Sequence, residues 1–544
     1  MPITYLSPGV YVEEVPSAQQ PIAGVGTSTA GFIGVVPDLI RVPVPNDWYD
    51  PHLAEVINRG DGAAGEYKDE NARATAQLRA LVEAQKSQRR GAGEEEAKIR
   101  ALEGDLAKAK EEAAAAEAEL AKTTEPPMSD RQRRRLEAQR DQKNQSQGTI
   151  QNQINEARRK ATEGVTNEDF LRPYRIETVR VSIRATDAKL CTNFTEYTER
   201  FGPYSSDDKD NLQHRALTHA VAGFFKNGGT RCWVARVASD NADEVDRALR
   251  QFESIDEIAL VAAPGMTGRT IWDKLVTHCE ELKDRFAILD PPEVVGTDDE
   301  VDIRALTYQG TASETIPDRN KNAAYYFPFL EVIDPAKQLQ DLDPTRGVAS
   351  ANRGKVYVPP SGHVAGVYAR VDTERGVHKA PGNEAILGAN DVKYYIGGRQ
   401  QDSLNPQGVN CIRNLNGNLR VYGARTIGGD RNGEWKYVNV RRVMLFLKES
   451  IDEGTQWVVF EPNDPALWAK IRRNVSAFLT RVWRSGALVG TTPQQAFYVK
   501  CDEETNPSEV RDVGQVITEI GVAIVRPAEF VIFRVTQWAG PTKS

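Results

Sequence analysis

Histidine is scarce in this chain. Six in 544 residues leave few groups suited to general acid–base work near neutral pH. Cysteine is also sparse: Cys191, Cys232, Cys279, Cys411 and Cys501 are scattered, odd in number and never spaced as CxxC. They read as reduced, mostly buried thiols in a protein made in the cytoplasm, and they argue against a zinc site. No run of about 18 apolar residues occurs, so no membrane insertion is expected. No basic stretch followed by an apolar one opens the chain, so no secretory leader is expected. The chain has no GxxxxGK(S/T) loop, no GxGxxG after a strand and no GxSxG elbow, and Ser361 in VPPSG sits in no such context. Basic residues are outnumbered, giving a net charge of −8, which disfavours a general nucleic-acid binder.

What is present is an abrupt change of composition. Residues 41–65 (RVPVPNDWYDPHLAEVINRGDGAAG) read as loop. From about Tyr67 to Glu163 the chain is rich in Ala, Glu, Lys, Arg and Gln and nearly free of aromatics. Ile99, Leu102, Leu106, Ala109, Ala113, Ala116 and Leu120 recur at alternating spacings of three and four, a heptad seam that predicts a helix from Glu94 to Lys122. Its 29 residues would reach about 43 Å at ~1.5 Å per residue. Pro126-Pro127 ends it, and Ser129 or Asp130 caps a second helix from Arg131 to Lys160. The second seam is Leu136, Arg140, Lys143, Gln147, Ile150, Ile154 and Ala157, polar in its middle, so a weakly packed helical hairpin is expected. It could be a contact or spacer, or a solvated hairpin without a partner.

From Tyr174 the globular signal returns. YRIETVRVSIRA alternates like a strand. NLQHRALTHAVAGFFKNGG is an amphipathic helix closed by Asn227-Gly228-Gly229. TRCWVARV is a buried strand, and EIALVAAPG, a helix around IWDKLVTHCEEL, and RFAILDPP predict a β-α-β unit. Residues 291–380 read as irregular and loop-rich. The last 110 residues or so alternate strand-like VYGARTI, TQWVVFE and QAFYVKC with the helices VNVRRVMLFLKESI and DPALWAKIRRNVSAFLTRVW.

Candidate chemistry is thin. Asp290 falls at the carboxyl end of a parallel strand, where α/β enzymes place ligands, and His278 lies on the preceding helix, but neither has companions for a triad or metal cluster. His214 and His219 are five apart, unlike the four of HExxH. We therefore expect no catalytic residues, no metal and no cofactor. One helix is electrostatically unusual. Between Pro465 and Cys501 there is no acidic residue, and Lys470, Arg473, Arg481 and Arg484 form one stripe around Ala477. Trp468, Ile471, Val475, Phe478, Leu479 and Val482 form the opposing apolar face. The stripe reads either as a solvated face or as a surface for an acidic partner.

The ends pose a separate question. MPITYLSPGVYVEEVPS holds two short strand-like segments around Pro8-Gly9, and EFVIFRVT (529–536) is strand-like near the other terminus. Neither has an obvious partner within the chain.

MPITYLSPGVYVEEVPS, GVGTSTAGFIGV, TNFTEYTERFG (192–202), FFKNGGTRCWVARV (224–237), AAYYFPFLEVIDP (323–335), VPPSGHVAGVYARVDTERGVHKAPGNE (358–384), GVNCIRN (408–414), VYGARTI, YVNVRRVMLFLKESI, WVVFEPNDPALW, GALVGTTPQQAFYVKCD and VRPAEFVIFRV together resemble, in order, the contractile tail sheath proteins of phages and related contractile injection systems. The resemblance covers most of the chain outside residues 41–185. Related compact sheaths connect the FIGV-like and TNFTEYTERFG-like segments by a short link, so residues 41–185 are an insertion whose role is open. The resemblance implies an α/β (mixed α+β) sheath core with extended N- and C-terminal strand arms and an inserted α-helical hairpin, or coiled coil, domain. It implies arms at 1–20 and 529–544, a core of 21–40 with 186–290 and 381–528, an outward-facing insertion at 41–185, and a loop-rich segment at 291–380. The orphan strands would pair with neighbouring subunits, through Tyr5, Val10, Tyr11 and Val12 at one end and Phe530, Ile532, Phe533 and Val535 at the other. Lys470, Arg473, Arg481 and Arg484 would face an inner tube.

The implied function is a structural subunit that polymerises as a helical sleeve around that tube and contracts without nucleotide hydrolysis. Its partners would be other copies of itself, the inner tube protein, and baseplate and terminal cap proteins, with no direct nucleic acid. The particle would be a phage tail or phage-tail-like device, released, if at all, by lysis. A static self-assembling tube or shell, or an α/β enzyme with a coiled-coil stalk and a pocket near Asp290, are the competing readings.

Overall fold

The computed structural model describes residues 21–60, 65–88, 92–120, 129–162, 167–206, 211–308 and 315–534. The chain divides into two compact bodies. Of the described residues, the larger comprises those within 26–375 and 379–441; the smaller comprises 21–25, Gly376–His378 and 442–534.

The larger body is built on a nine-stranded mixed sheet. In spatial order it runs β11 (Glu384–Ala385), β14 (Asn418–Val421), β13 (Val409–Leu415), β8 (Ala323–Phe327), β7 (Phe286–Leu289), β6 (Leu260–Ala262), β1 (Ala30–Val35), β5 (Cys232–Val237) and β4 (Ala188–Cys191). From β13 to β5 the pairings are parallel; β14, β11 and β4 pair antiparallel at the two ends. Strands such as AGFIGV, FAIL and AAYYF are buried along their whole length, as a parallel sheet covered on both faces requires. The expected β-α-β unit is present: β6 and β7 pair in parallel, Leu260 beside Phe286, joined through the helix Arg269–Leu282. Ile271, Trp272, Leu275 and Cys279 of that helix pack into the main core.

Two helices lie close together in this body. Leu212–Lys226 matches the amphipathic reading, and its end is closed as expected, with the Asn227 N–H shared between the Gly223 and Phe224 carbonyls and the Gly228 N–H donating to Phe225. Ser361–Arg375 was not expected. It is buried on nearly every side, and its close approach depends on Gly362: a Cβ there would stand 2.3 Å from Ala220 Cα. Residues 291–380 are thus more ordered than their composition suggests. Besides β8 and this helix they hold β9 (Leu330–Ile333) and β10 (Lys355–Val358), which join β12 (Asp391–Val392) in a three-stranded antiparallel sheet.

The segment 41–65 is not simply loop either. β2 (Leu39–Pro45) pairs antiparallel with β3 (Tyr174–Arg180). The helix Pro51–Arg59 follows, capped by the Asp50 carboxylate, which accepts from His52 N and Leu53 N at 3.0 Å each. A further helix, Lys68–Gln88, packs Ala74, Leu78 and Val82 against Leu53, Val56 and Phe170.

The two long helices are Ala92–Leu120 and Asp130–Thr162. Leu106, Ala109 and Ala113 are buried in the first seam, and Ile154 is buried in the second. The polar middle finds partners: Lys143 pairs with Glu112 at 2.5 Å, and Gln147 Nε2 donates to the Ala109 carbonyl at 3.2 Å. Arg184 binds both oxygens of Glu117 at 2.5 and 2.6 Å, and Lys189 meets Asp141 at 2.8 Å. These exposed or half-exposed pairs orient the helices more than they stabilise them.

In the smaller body, the chain from Arg442 to Thr455 is helical, as is Pro465–Arg484. Asp464 caps the latter, accepting from Leu467 N at 2.8 Å, with Pro465 in the first turn. β15 (Phe497–Lys500) and β16 (Glu519–Val522) form an antiparallel pair. Two strand expectations fail. TQWVVFE is the end of a helix and a 3-10 turn at Gln456–Val458, leading to a fully exposed Phe460 with φ of +67°. Of VYGARTI only Val421 belongs to a strand; beyond it Arg425 forms an isolated bridge with Tyr437.

Candidate assembly surfaces

The Pro465–Arg484 helix carries the expected division of faces. Leu467, Trp468, Ile471, Val475, Phe478, Leu479 and Val482 are buried in a core shared with Val443, Leu447 and Ile22. Arg473, Arg481 and Arg484 are exposed and Lys470 is half-buried. Lys470, Arg473 and Arg484 take part in no ion pair among the described residues. Arg472, off the stripe, donates inward to the Cys501 carbonyl. Arg481 has a second attachment that the sequence did not signal: its guanidinium lies 6.0 Å from the Phe478 ring centroid and donates to the Ile22 carbonyl.

That contact belongs to an anchor at residues 22–25. Ile22 is completely buried, and Gly454 makes room for it, since a Cβ there would be 2.6 Å from Ile22 Cγ2. Val25 N donates to Ser450 Oγ at 3.1 Å, and Gly24 lies against the Phe446 ring. The chain preceding the anchor contains Tyr5, Val10, Tyr11 and Val12, which lie outside the described residues.

The third feature is a short sheet with open edges. β15 and β16 pair with each other through four residues each, and the ladder continues through Val489 N to Ala523 O at 2.7 Å and Val525 N to Ala487 O at 3.1 Å. No third strand joins it among the described residues. A two-stranded sheet is marginal alone, and its edges present unpaired N–H and C=O groups. Downstream, residues 530–534 have no assigned secondary structure. Phe530, Val531, Ile532 and Phe533 are 69%, 69%, 78% and 85% exposed, a contiguous apolar run open to solvent. Val535 lies outside the described residues.

The groups considered for chemistry are each bonded within the larger body. Asp290 Oδ1 accepts from Ser361 N at 2.8 Å, and Oδ2 from Ser361 Oγ at 2.6 Å and Gly265 N at 3.3 Å, so it holds the start of the buried helix. Burial pushes its carboxyl up to about 7, against the pull of these three donors. His278 is buried, with Arg285 Nη1 3.4 Å from its Nε2, and burial lowers it to about 4. It lines a groove of about 430 Å³ together with Asp246, Glu253, Asp273 and Lys274, to which Asp290 does not contribute. His214 is fixed between Ser205 Oγ at 3.0 Å and the Phe201 carbonyl at 2.9 Å. His219 bonds Asp334 Oδ2 at 2.9 Å. Among the described residues no group of three or more His, Cys, Asp or Glu is arranged to hold a metal ion, and no helix is long and apolar enough to cross a membrane.

The chain thus combines a mixed α/β body with a second body that carries a two-stranded sheet, a helix with a basic stripe and an exposed apolar segment. Residues 242–427 match the phage tail sheath protein central domain, and residues 430–537 match the phage tail sheath C-terminal domain. Together the matches take in more than half of the chain. The chain belongs to the contractile tail sheath family.

Relatives agree. The tail sheath protein of Vibrio phage KVP40 is 26% identical over 181 residues, covering 32% of this chain and 26% of that protein. The tail sheath protein of Burkholderia phage BcepMu is 25% identical over 211 residues, covering 37% of this chain and 40% of that protein. The aligned part is thus less than half the length of these relatives. The sheath complex of the PVC extracellular contractile injection system, in its contracted state, is 28% identical and superposes with a TM-score of 0.53, over 66% of this chain and 88% of that one. A chain of the anti-feeding prophage baseplate is 27% identical with a TM-score of 0.52, over 65% and 88%.

Proposed function

We propose that this chain is the structural subunit of a contractile sheath. It polymerises into a helical sleeve around an inner tube and drives the tube through a target envelope when the sleeve shortens. The observation that carries this reading is that one body holds the open β15–β16 edges, the anchored root of the N-terminal segment and the exposed run at 530–533. Strand addition from neighbouring copies would satisfy the edges and cover the run. Residues 1–20 and 529–544 are then the arms, with Tyr5, Val10, Tyr11, Val12, Phe530, Ile532, Phe533 and Val535 at the joints.

The basic stripe of Lys470, Arg473, Arg481 and Arg484 faces the inner tube in this account. Exposed ion pairs are individually weak, which suits a contact released during contraction. Baseplate and cap proteins terminate the polymer. The helical insertion within 41–185 projects outward, where added length does not obstruct stacking. The work comes from new contacts between copies, with no cofactor and no catalysis. The particle is a phage tail or a phage-tail-like device.

Electron microscopy of sheath polymers before and after a contraction trigger tests the reading. Two lattices of different length and diameter are expected; a single unchanging lattice would leave a static tube in its place.

A further inference from the structure

The register of β4 on β5 sets Cys191 directly opposite Cys232. Directly opposed residues in an antiparallel pair project from the same face, with Cβ atoms about 4.5–5.5 Å apart. A disulfide needs a Cα separation of about 4.4–6.8 Å and a Cβ separation of about 3.5–4.5 Å; opposed Cα atoms about 4.5–5.5 Å apart meet the first, and the Cβ atoms must draw together to meet the second. Both thiols are fully buried and unbonded, and Tyr197 lies close to both. The other cysteines have no such partner: Cys279 is on the Arg269–Leu282 helix, Cys411 stands opposite Phe327, and Cys501 is in the smaller body. Among the described residues β4 is also the edge strand of the main sheet, four residues long and paired on one side only.

We propose that Cys191 and Cys232 are a redox-controlled pair that closes into a cross-strand disulfide on exposure to a peroxide, fastening the edge strand to the sheet. The peroxide oxidises one thiolate to a sulfenic acid and is itself reduced to water. The second thiolate then attacks the sulfenic sulfur; the S–S bond forms and hydroxide leaves, taking up the second proton as water. In total two thiols and one hydrogen peroxide give one disulfide and two waters. The closed fold restrains this step, because burial pushes Cys191 up to about 12 and Cys232 well above its ordinary value. Reaction therefore passes through brief opening of β4, and Cys191, on the strand that moves and close to Arg200, is oxidised first.

The test is peptide mapping of the intact chain. The protein is incubated with hydrogen peroxide, free thiols are blocked, and peptides are analysed without reduction. A Cys191–Cys232 linked peptide should accumulate, faster in mild denaturant, while Cys279, Cys411 and Cys501 remain thiols. The oxidised protein should melt about 3–8 °C higher, a shift reversed by reductant and absent from the C191S/C232S variant. Recovery of both residues as free thiols, pairing of either with another cysteine, or the same shift in the variant would overturn the proposal.

Discussion

Ile22 is the point at which the root of the N-terminal segment becomes part of a folded core, and Ile22→Ala tests that coupling. The side chain is completely buried and belongs to the core that also holds Trp468, Ile471, Val475 and Phe478. Truncation removes three carbons, about 2.4 kcal/mol of transfer free energy at ~0.8 per group. The cavity brings the expected loss to about 3 kcal/mol. Gly454 supplies an internal control. Alone, Gly454→Ala should gain up to about 1 kcal/mol of helix propensity and lose about 1–3 through overlap with Ile22, because its Cβ would sit 2.6 and 2.8 Å from Ile22 Cγ2 and Cγ1. In the Ile22→Ala background both of those atoms are gone, leaving the tight contact with the residue 22 Cβ at 2.9 Å, and the added methyl fills part of the cavity. The double variant should therefore be more stable than the sum of the single effects by about 1–2 kcal/mol. The assay is denaturant unfolding of the monomer, paired with polymer yield. A loss below about 1 kcal/mol for Ile22→Ala, or additivity within about 0.5, would refute the account of the anchor.

Charge reversal at Arg473 and Arg484 should leave the melting temperature within about 1 °C, since both are exposed, while abolishing tube-bound assembly; unchanged assembly on tubes would remove the stripe from the tube contact. Asp290 should make stability fall as pH rises. Its folded value, about 7 against 3.8, is raised, so its contribution is complete below about pH 4 and is lost on the way to 7, amounting to a few kcal/mol on the order of the shift; Asp290→Asn should flatten that slope in pH-dependent unfolding. Gly362→Val should destabilise the larger body by about 3 kcal/mol or more, measured by thermal melting, because a Cβ already meets backbone at 2.3 Å.

The parts of this fold legible in the sequence are those whose burial is periodic or continuous. The seam through Leu106, Ala109 and Ala113, the two faces of Pro465–Arg484, and the apolar runs of β1 and β7 each carry their environment in their spacing. The helix Ser361–Arg375 does not. From Ser361 to Ala369 it is buried all round, so that stretch has no polar face to set a period, and its Gly362, His363 and Gly366 read as loop chemistry when they serve close packing. β2 was hidden by Pro43 and Pro45, which are tolerable because its ladder faces only β3. TQWVVFE misled in the opposite direction: β-branched and aromatic residues suggested a strand, while Val459 and Phe460 are held exposed on a turn. Of the assembly surfaces, the basic stripe was visible as a run without carboxylates. The anchor was not, because Ile22, Ser450 and Gly454 meet only in the folded chain.

The central claim is that terminal strands join copies of this chain, and its most direct test is negative-stain electron microscopy of the full-length protein beside a version lacking residues 1–20. The account expects long hollow tubes from the full-length chain and isolated rings or monomers from the truncation. Tubes of equal length from both would contradict it.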